Sequence, residues 1–454
     1  MPATHARDRG GEKGITTDER LLPMTKHLSL VDAVARIRPS DTIGIPLGPG
    51  QPGAFLHALD TRDDWVDLTV SGALLIDLYG VLAKANVHYL SGFFGPAERF
   101  LRDSGADVQF VPADFRRFAP ILRERAPRVM ATLAAPPDAD GWMSLSLHAG
   151  ASVDELRRAG ADPDRVLLVE TNTSAPRTFG LLPDHRHALH VDEADIIVES
   201  DRALFTLADA PPSDAEARIA EFALGFVRDG STLQTGIGGV PTQVAKLLAA
   251  GDGGEYGVHS EMFTTGLMEL HCAGKVTNAR KGVFDGVSIT TFAAGTAELN
   301  SWLDDNDEVR FLPVDVVNAP DVIAKNHDFV SINGALVIDL YGQAVADTID
   351  GSQFSGIGGH EDFVAASGLD LTDRSLLCLP STSTVNGETV SRIAPHLGAG
   401  AVVTTPRHQL DVVITEFGVA RLRGRTVRER ALALAGIAHP TFRDELLEQA
   451  ERLR

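Results

Sequence analysis

Several residue types that stabilise or localise other proteins are scarce in this chain. Only two cysteines, Cys272 and Cys378, occur among its 454 residues, and they form no CxxC motif. A disulfide framework is therefore not expected, and a reducing cytoplasm is the predicted compartment. Long apolar runs are also lacking, so no membrane-spanning segment is predicted. The N-terminus carries charge without the apolar stretch of a secretory signal.

Basic residues are also scarce relative to acidic residues. Lys and Arg number 41 against 62 Asp and Glu, which gives a formal net charge of −21 at pH 7. A field of this sign argues against nucleic acid and anionic membranes as partners. Any anionic ligand must instead be bound by local donors, such as helix N-termini or a few arginines.

What the chain does contain is an alternation of short apolar runs and helical patterns. Runs typical of buried strands are Asp41–Ile45, Val129–Leu133, Ala401–Thr405 and Asp411–Thr415. This alternation predicts α/β layers with mostly parallel sheets, and the length suggests more than one domain. We expect a disordered tail over residues 1–24, an N-terminal α/β domain over 25–213 and a C-terminal α/β domain over 214–454. The proline-containing segment 207–214 marks the predicted boundary.

The two predicted domains have similar segments in the same order. Asp41–Ile43 corresponds to Ser231–Leu233 at an offset of 190 residues, and a glycine pair follows each of them. Val108–Asp114 corresponds to Val309–Asp315 at an offset of 201, and a turn at 140–141 corresponds to one at 341–342. These matches predict that the two domains arose by duplication.

A glycine-rich turn follows the predicted strand 233–235. It consists of Gly236, Ile237, Gly238, Gly239 and Val240, and a helix is predicted to begin at Pro241 and to continue over 242–250. Glycines let a ligand approach the backbone, and a helix N-terminus attracts phosphate. Pro241 occupies the place of the third glycine of a dinucleotide fingerprint. Taken alone, the turn fits a phosphate-bearing ligand and a tight connection without a ligand equally well.

The carboxylate of Glu261 follows the turn at about the distance of one supersecondary unit. It lies in the segment Gly257-Val258-His259-Ser260-Glu261-Met262-Phe263. A strand at this place would direct Glu261 toward the glycine turn, which makes it a candidate nucleophile. The alternative is a solvated carboxylate at a helix start capped by Ser260, because most glutamates lie at the surface.

These segments together resemble the acetyl-CoA hydrolase/transferase family, which includes 4-hydroxybutyrate, butyrate and succinate:acetate CoA-transferases. The resemblance runs from about residue 30 to the C-terminus. Further matching segments are Phe311–Asp315, Val330–Asn333, Ser355–Gly359, Ser391–Pro395, Thr415–Ala420 and Ile437–Pro440. It implies two related open α/β domains of the class I CoA-transferase type, with the active site between them. Relatives of this kind are commonly dimers, so a homodimer or a higher homo-oligomer is expected.

The resemblance also implies roles for individual residues. Glu261 matches the family's nucleophile, which carries coenzyme A as a glutamyl-CoA thioester. Coenzyme A enters as part of an acyl-CoA substrate, and neither a metal nor a nicotinamide is required. The implied CoA contacts are Gly236, Ile237, Gly238, Gly239, Val240, Leu336, Gly358 and Gly359.

Two alternatives to a CoA-transferase remain open from the sequence, and two others are disfavoured. An acetyl-CoA hydrolase would use the same glutamate and let water resolve the intermediate. A catalytically silent regulator would bind acyl-CoA without turnover. A nucleotide-dependent oxidoreductase is disfavoured by Pro241, and a serine hydrolase by the lack of a Gly-x-Ser-x-Gly motif. The sequence does not specify the acyl-CoA or the acceptor acid.

Two further clusters are more consistent with structural roles. His185, His187 and His190 have no accompanying carboxylate, and a strand would not present all three on one face. The arginine-rich segment 421–430 fits a solvated helix start, with a contact to CoA phosphate as the alternative.

Overall fold

The computed structural model describes residues 26–208, 211–367 and 370–453. The predicted tail over residues 1–24 lies outside the described residues. Residues 26–208 are called the N-terminal half below. Its strands are β1 Ser40–Leu47, β2 Asp67–Ala73, β3 Val87–Ser91, β4 Asp107–Phe110, β5 Val129–Ala134, β6 Trp142–Ser144, β7 Val166–Asn172, β8 Ala188–His190 and β9 Ile196–Ser200. Its α-helices are α1 Leu30–Val34, α2 Gly53–Leu59, α3 Pro96–Asp103, α4 Phe118–Arg125 and α5 Val153–Ala161.

The N-terminal half is built on a parallel sheet in the order β4-β3-β2-β1-β5-β7-β9. Ile43 of β1 lies in the middle, paired with Val70 of β2 on one side and Val129 of β5 on the other. All six residues of β5 are buried, because central strands of such a sheet are covered on both faces. This burial explains why these strands are continuous apolar runs in the sequence.

The C-terminal half comprises residues 211–367 and 370–453. Its α-helices are α6 Asp214–Leu224, α7 Gly239–Ala250, α8 Thr265–Cys272, α9 Ala297–Leu303, α10 Val314–Val317, α11 Pro320–Ile323, α12 His360–Ala366, α13 Val427–Gly436 and α14 Pro440–Arg452. The strands near its start are β10 Thr232–Thr235, β11 Gly257–Val258, β12 Met262–Phe263, β13 Ser288–Thr290, β14 Phe292–Ala293, β15 Val309–Phe311 and β16 Phe329–Gly334. The later strands are β17 Val337–Asp339, β18 Ala344–Val345, β19 Thr348–Ile349, β20 Ser352–Gln353, β21 Arg374–Cys378, β22 Thr382–Val385, β23 Glu388–Ser391, β24 Ile393–Ala394, β25 Val412–Thr415 and β26 Gly418–Arg421.

The strand order of the C-terminal half repeats that of the N-terminal half. Its main sheet runs β11-β10-β16-β21-β25, with β26 added antiparallel at the edge. A parallel bridge from His259 to Ile289 continues β11 onto β13, and β13 pairs in parallel with β15. The order β15-β13-β11-β10-β16-β21-β25 therefore matches β4-β3-β2-β1-β5-β7-β9.

The segments matched by sequence occupy equivalent places in the two sheets. The first pair falls on β1 and β10, which are the first strands of their halves, and the second falls on β4 and β15. The turn glycines Gly141 and Gly342 have φ values of +85° and +84°. These correspondences support the duplication predicted from the sequence.

The two halves are held together by a hydrophobic cluster that they share. One hydrophobic cluster contains Met130 and Leu167 of the N-terminal half together with Leu233 and Ile332 of the C-terminal half. The division at residue 213/214 stays a prediction. In the described part of the chain, no helix is both long and apolar enough to cross a membrane.

Two local predictions were wrong. Ala401–Thr405 is not a strand: residues 401–403 are exposed and extended, and only Thr405 forms a bridge, to Ala344. Apolar β-branched residues raise strand propensity, but pairing with neighbouring strands decides whether a strand forms. Helix α7 begins at Gly239 and not at Pro241, because proline suits any position of the first helical turn, where its missing N–H costs no hydrogen bond.

Candidate active site

Glu261 lies in the short connection between β11 and β12. Its carbonyl oxygen accepts hydrogen bonds from the backbone N–H groups of Thr291 at 3.0 Å and Phe292 at 3.2 Å. The Ser260 hydroxyl donates to the Thr235 carbonyl at 3.0 Å, directly before the first glycine turn. Helix α8 begins only at Thr265, with Thr264 at its N-cap. The alternative of a helix start capped by Ser260 was therefore wrong.

The Glu261 carboxylate meets the second glycine turn, residues 355–359. A Cβ atom placed on Gly359 would overlap Glu261 Oε2, so any other residue at this position would displace the carboxylate. Gly358 has a φ of +57°, in the left-handed region that favours glycine. Gly358 and Gly359, which the sequence placed among the CoA contacts, thus lie next to the proposed nucleophile.

Asn318 connects Glu261 with a second carboxylate. Its side-chain amide donates to Glu261 Oε2 at 2.6 Å and to Asp362 Oδ2 at 3.0 Å. The two N–H bonds of one amide are thereby shared between two carboxylates. Asn318 is fully buried, at the end of the short helix α10, so its position is fixed by packing.

Burial is the main cause of the raised pKa values of Glu261, Asp362 and Glu361. It raises the pKa of Glu261 to about 8, and the neighbouring Asp362 charge adds to the shift. The hydrogen bonds from Asn318 and from the Gly359 backbone act in the opposite direction, because they favour the charged carboxylate. Burial likewise raises the pKa of Asp362 to about 6 and that of Glu361 to about 7. The Glu261 carboxylate is therefore poorly solvated when it is charged.

The N-terminal half forms the opposite wall of the site. The Phe115 backbone N–H donates to the Gly358 carbonyl at 2.9 Å. A Cβ atom on Gly356 would lie 2.6 Å from the Phe93 ring, so the turn packs closely against that residue. Arg116 Nε donates to Asp362 Oδ1 at 2.6 Å. Glu261 consequently lies between the two halves, as the resemblance implied.

The first glycine turn lines a cavity of about 200 Å³ beside the start of α7. Gly236, Ile237, Gly238 and Gly239 line this cavity together with Thr264 and Gly295. The side chain of Val240 is 7% exposed and belongs to the core, so only its backbone is available to a ligand.

Leu336 lines a different and larger cavity, of about 690 Å³, which also includes Arg392 and His396. The predicted CoA contacts are thus distributed over two cavities and the turn at Glu261. A ligand that touched all of them would have to be long.

Sequence reasoning missed three residues of the site: Asn318, Asp362 and Arg116. Asp362 belongs to a segment that resembles the family, but nothing in the pattern assigned it a partner. Asn318 lies 57 residues from Glu261, and Arg116 lies 246 residues from Asp362. No periodicity or spacing signals contacts over such separations, so only the folded chain reveals them.

Comparison with known proteins decides the family. The model of the acetyl-CoA hydrolase/transferase C-terminal domain matches residues 295–450. A succinyl-CoA:cyclohexane-1-carboxylate CoA transferase from Geobacter metallireducens is 36% identical over 94% of this chain and 95% of its own length. The chain belongs to the acetyl-CoA hydrolase/transferase family.

Other members of the acetyl-CoA hydrolase/transferase family agree over most of the chain. A 4-hydroxybutyrate coenzyme A transferase from Clostridium kluyveri is 34% identical over 92% of this chain and 96% of its own. The crystal structure of RipA from Yersinia pestis has a TM-score of 0.83 at 32% identity, covering 94% of this chain and 97% of RipA. Acetyl-CoA hydrolases are more distant, at 27% identity or less. The two relatives named above that cover more than nine-tenths of this chain, from Geobacter metallireducens and Clostridium kluyveri, are CoA-transferases.

The remaining clusters from the sequence have local contacts. His187 is buried, stacks on Phe311 with ring centroids 5.0 Å apart, and lies 2.8 Å from the Ser146 carbonyl through Nε2. Within the described ranges, no three His, Cys, Asp or Glu side chains are grouped as metal ligands would be. In the arginine-rich segment, Arg421 lies 4.5 Å above the Phe226 ring and Arg430 donates to the Leu422 carbonyl.

Proposed function

We propose that this protein is a CoA-transferase that moves coenzyme A between a small acyl-CoA and a carboxylic acid through a glutamyl-CoA thioester on Glu261. The observation that carries the proposal is the Glu261 carboxylate, enclosed between the two halves and in contact with the Gly358-Gly359 turn. The CoA-transferases among its relatives support the same reaction. Acetate, butyrate and 4-hydroxybutyrate are the acids that we expect it to use.

The first half-reaction transfers CoA to the enzyme. A Glu261 oxygen attacks the acyl-CoA carbonyl, the C–S bond breaks, and CoA leaves as a thiolate from the resulting mixed anhydride. The thiolate then attacks the glutamyl carbonyl of the anhydride, which forms the Glu261–CoA thioester and releases the acyl group as a carboxylate. The second half-reaction repeats these steps in reverse with the acceptor acid.

The Gly358-Gly359 turn would stabilise the tetrahedral intermediates. Its backbone lies against the carboxylate, and the Gly359 N–H already interacts with Glu261. One such donor contributes about 3–4 kcal/mol of transition-state stabilisation in an enclosed site. We assign Asn318 as a positioning residue, since it holds one carboxylate oxygen and leaves the other for attack.

Coenzyme A would extend along both glycine turns. We assign its contacts to Gly236, Ile237, Gly238, Gly239 and the backbone of Val240, and further to Leu336, Gly358 and Gly359. The N-terminus of α7 follows the first turn and offers free N–H groups to a phosphate. Binding energy from these remote contacts can be used at the reacting carbonyl. We further propose a cytoplasmic homodimer, which a mass measurement in solution would test.

Trapping the intermediate tests the mechanism. The protein is incubated with an acyl-CoA in the absence of acceptor, treated with hydroxylamine or borohydride, and digested for peptide mass analysis. We expect a glutamyl hydroxamate, or the corresponding alcohol, on Glu261 and none in Glu261→Gln. A modification on another residue in an active enzyme would overturn the proposal.

Acceptor dependence separates transfer from hydrolysis. A transferase shows ping-pong kinetics, and the release of the first acid stops after one equivalent unless acceptor is added. A hydrolase continues to turn over in the absence of acceptor, with the same trapped Glu261 adduct. A silent regulator would bind acyl-CoA equally well in Glu261→Ala and would form no adduct.

A further inference from the structure

A groove outside the proposed active site lies where the two halves meet. We call it the arginine groove and define it by Trp142, Arg177, Phe179, Arg186, Asp307 and Arg310. Arg310 belongs to β15 of the C-terminal half, and Trp142 begins β6 of the N-terminal half. Its volume is about 510 Å³, within the range of about 300–1,000 Å³ typical of small-molecule sites. None of the residues assigned to acyl-CoA lines it.

The charges of the groove are unusual for this protein. Arg177 pairs with Asp138 at 3.1 Å. Arg186 and Arg310 have no carboxylate within 4.0 Å in the described ranges, although acids outnumber bases by 62 to 41. The Arg310 Nη1 atom is buried and donates no hydrogen bond there. Because this atom is closed to solvent, an anion in the groove would be bound by the other N–H groups of Arg310 and by those of Arg186.

Aromatic rings hold the arginines in place. The Arg186 guanidinium lies 4.0 Å above the Trp142 ring, and those of Arg177 and Arg310 lie 5.6 and 5.7 Å from the Phe179 ring centroid. Such stacking orients a guanidinium group without consuming its N–H donors. Less side-chain entropy is then lost when a ligand binds.

We propose that the arginine groove binds a small phosphate-bearing anion, with Arg310 and Arg186 as its principal donors. The planar guanidinium fork matches the oxygens of a phosphate group, and two forks lining one groove suit a diphosphate. The lining also includes two carboxylates, Asp138 and Asp307, and Asp138 is paired with Arg177. The ligand would bridge the two halves and is distinct from the acyl-CoA substrate.

Titration calorimetry with inorganic pyrophosphate tests this proposal. The full-length protein is titrated once alone and once saturated with coenzyme A, so that the second titration reports only binding outside the phosphate contacts of the substrate. We expect one equivalent of pyrophosphate to bind, and its Kd to rise about tenfold or more in Arg310→Gln and in Arg186→Gln, since each substitution removes a charge-assisted hydrogen bond. Arg36→Gln is the matched control, because it removes the same charge from an exposed side chain and should leave the Kd unchanged.

Three results would overturn the proposal. They are no binding of pyrophosphate at millimolar concentration, equal affinity in Arg310→Gln, and loss of binding when coenzyme A is present. The last result would assign the groove to the phosphates of the substrate. Circular dichroism verifies that each variant is folded. If Arg310→Gln does not fold, Arg186→Gln decides the question, because Arg186 lies on the groove wall and outside the core.

Discussion

The Glu261 carboxylate must be charged to act as a nucleophile, yet its surroundings disfavour the charge. Burial raises its pKa to about 8, while Asn318 and the Gly359 N–H stabilise the carboxylate only in part. A poorly solvated carboxylate is more reactive than one in water, because less solvation is lost when it attacks. The residue thus gains reactivity but is largely protonated at neutral pH in the free enzyme.

The pH dependence of kcat/KM should report this ionisation. Only the deprotonated form attacks, so kcat/KM should increase with pH up to about 8 and fall about tenfold for each pH unit below that value. Asp362→Asn removes the negative charge beside Glu261. The pKa of Glu261 should then decrease, and the rise in kcat/KM should move to lower pH. The measurement is a pH–rate profile of both proteins at subsaturating acyl-CoA. If kcat/KM rises at the same pH in both proteins, Asp362 does not influence the pKa of Glu261.

The contact at Gly359 should be intolerant of any side chain. Gly359→Ala would place a methyl group on Glu261 Oε2 and displace the carboxylate by about 1 Å, which costs roughly 100-fold in kcat. Gly436→Ala is the matched control, since a Cβ atom there meets nothing within 4 Å. Steady-state kinetics with one acyl-CoA and one acid check both variants. Equal activity of the two would contradict the close approach of the turn to Glu261.

At the scale of elements, two helices begin with the same kind of N-terminal cap. Ser213 caps α6 and Thr426 caps α13, and each forms a capping box with a glutamate three residues later, Glu216 and Glu429. Only Glu216 also lies beneath the first glycine turn, where a Cβ atom on Gly239 would overlap it. The cap of α6 therefore also holds a side chain against the first glycine turn, whereas the cap of α13 stabilises only its own helix.

Removing the two caps should separate stability from binding. Ser213→Ala and Thr426→Ala should each lower the free energy of unfolding by about 1 kcal/mol, since each loses an N-cap hydrogen bond. Only Ser213→Ala should also raise KM for acyl-CoA, because Glu216 is then free to move beneath Gly239. Denaturant titration gives the stabilities, and initial rates give the KM values. An unchanged KM in Ser213→Ala would show that the turn holds its shape without α6.

At the scale of the whole molecule, the site exists only where the halves meet. The ion pair between Arg116 and Asp362 joins them directly beside Asn318 and Glu261. Asp362 has a side-chain exposure of 0%, so its charge depends on Arg116. Both halves are thereby fixed relative to the nucleophile.

Breaking this pair should destabilise the protein in a pH-dependent way. Arg116→Met leaves the buried Asp362 carboxylate without its cation and should cost ~3 kcal/mol at pH 8. The cost should decrease as the pH is lowered from 8 and be small below pH 6, because the pKa of Asp362 is about 6 with Arg116 present and higher without it, so that the carboxyl group is protonated in both proteins at low pH. Thermal unfolding at pH 5 and pH 8 measures the difference.

A double variant provides the control for the ion pair. Arg116→Met combined with Asp362→Asn removes both charges and should recover most of the stability lost at pH 8. The recovered protein should still have a reduced kcat, because Asn318 no longer faces a charged partner. A double variant as unstable as Arg116→Met would assign the loss to packing.

The sequence predicted more of the chemistry than of its arrangement. Glu261 was identified because a recognisable motif surrounds it, and the α/β class was identified because buried parallel strands are continuous apolar runs. The wrong strand at 401–405 has the same composition as a true strand but lacks paired neighbours. The start of α7 was misplaced because the pattern of Gly239 and Pro241 fits several positions of a first turn.

The sequence by itself determined the family, the candidate nucleophile and the two glycine turns, since each depends on residues that are close together along the chain. Tertiary structure alone decided that Asn318, Asp362 and Arg116 surround Glu261 and that arginines from both halves share one groove. These contacts join residues 44 to 246 positions apart. Their physical origin is the packing of the two α/β halves against each other, which brings distant segments to one interface and removes them from water.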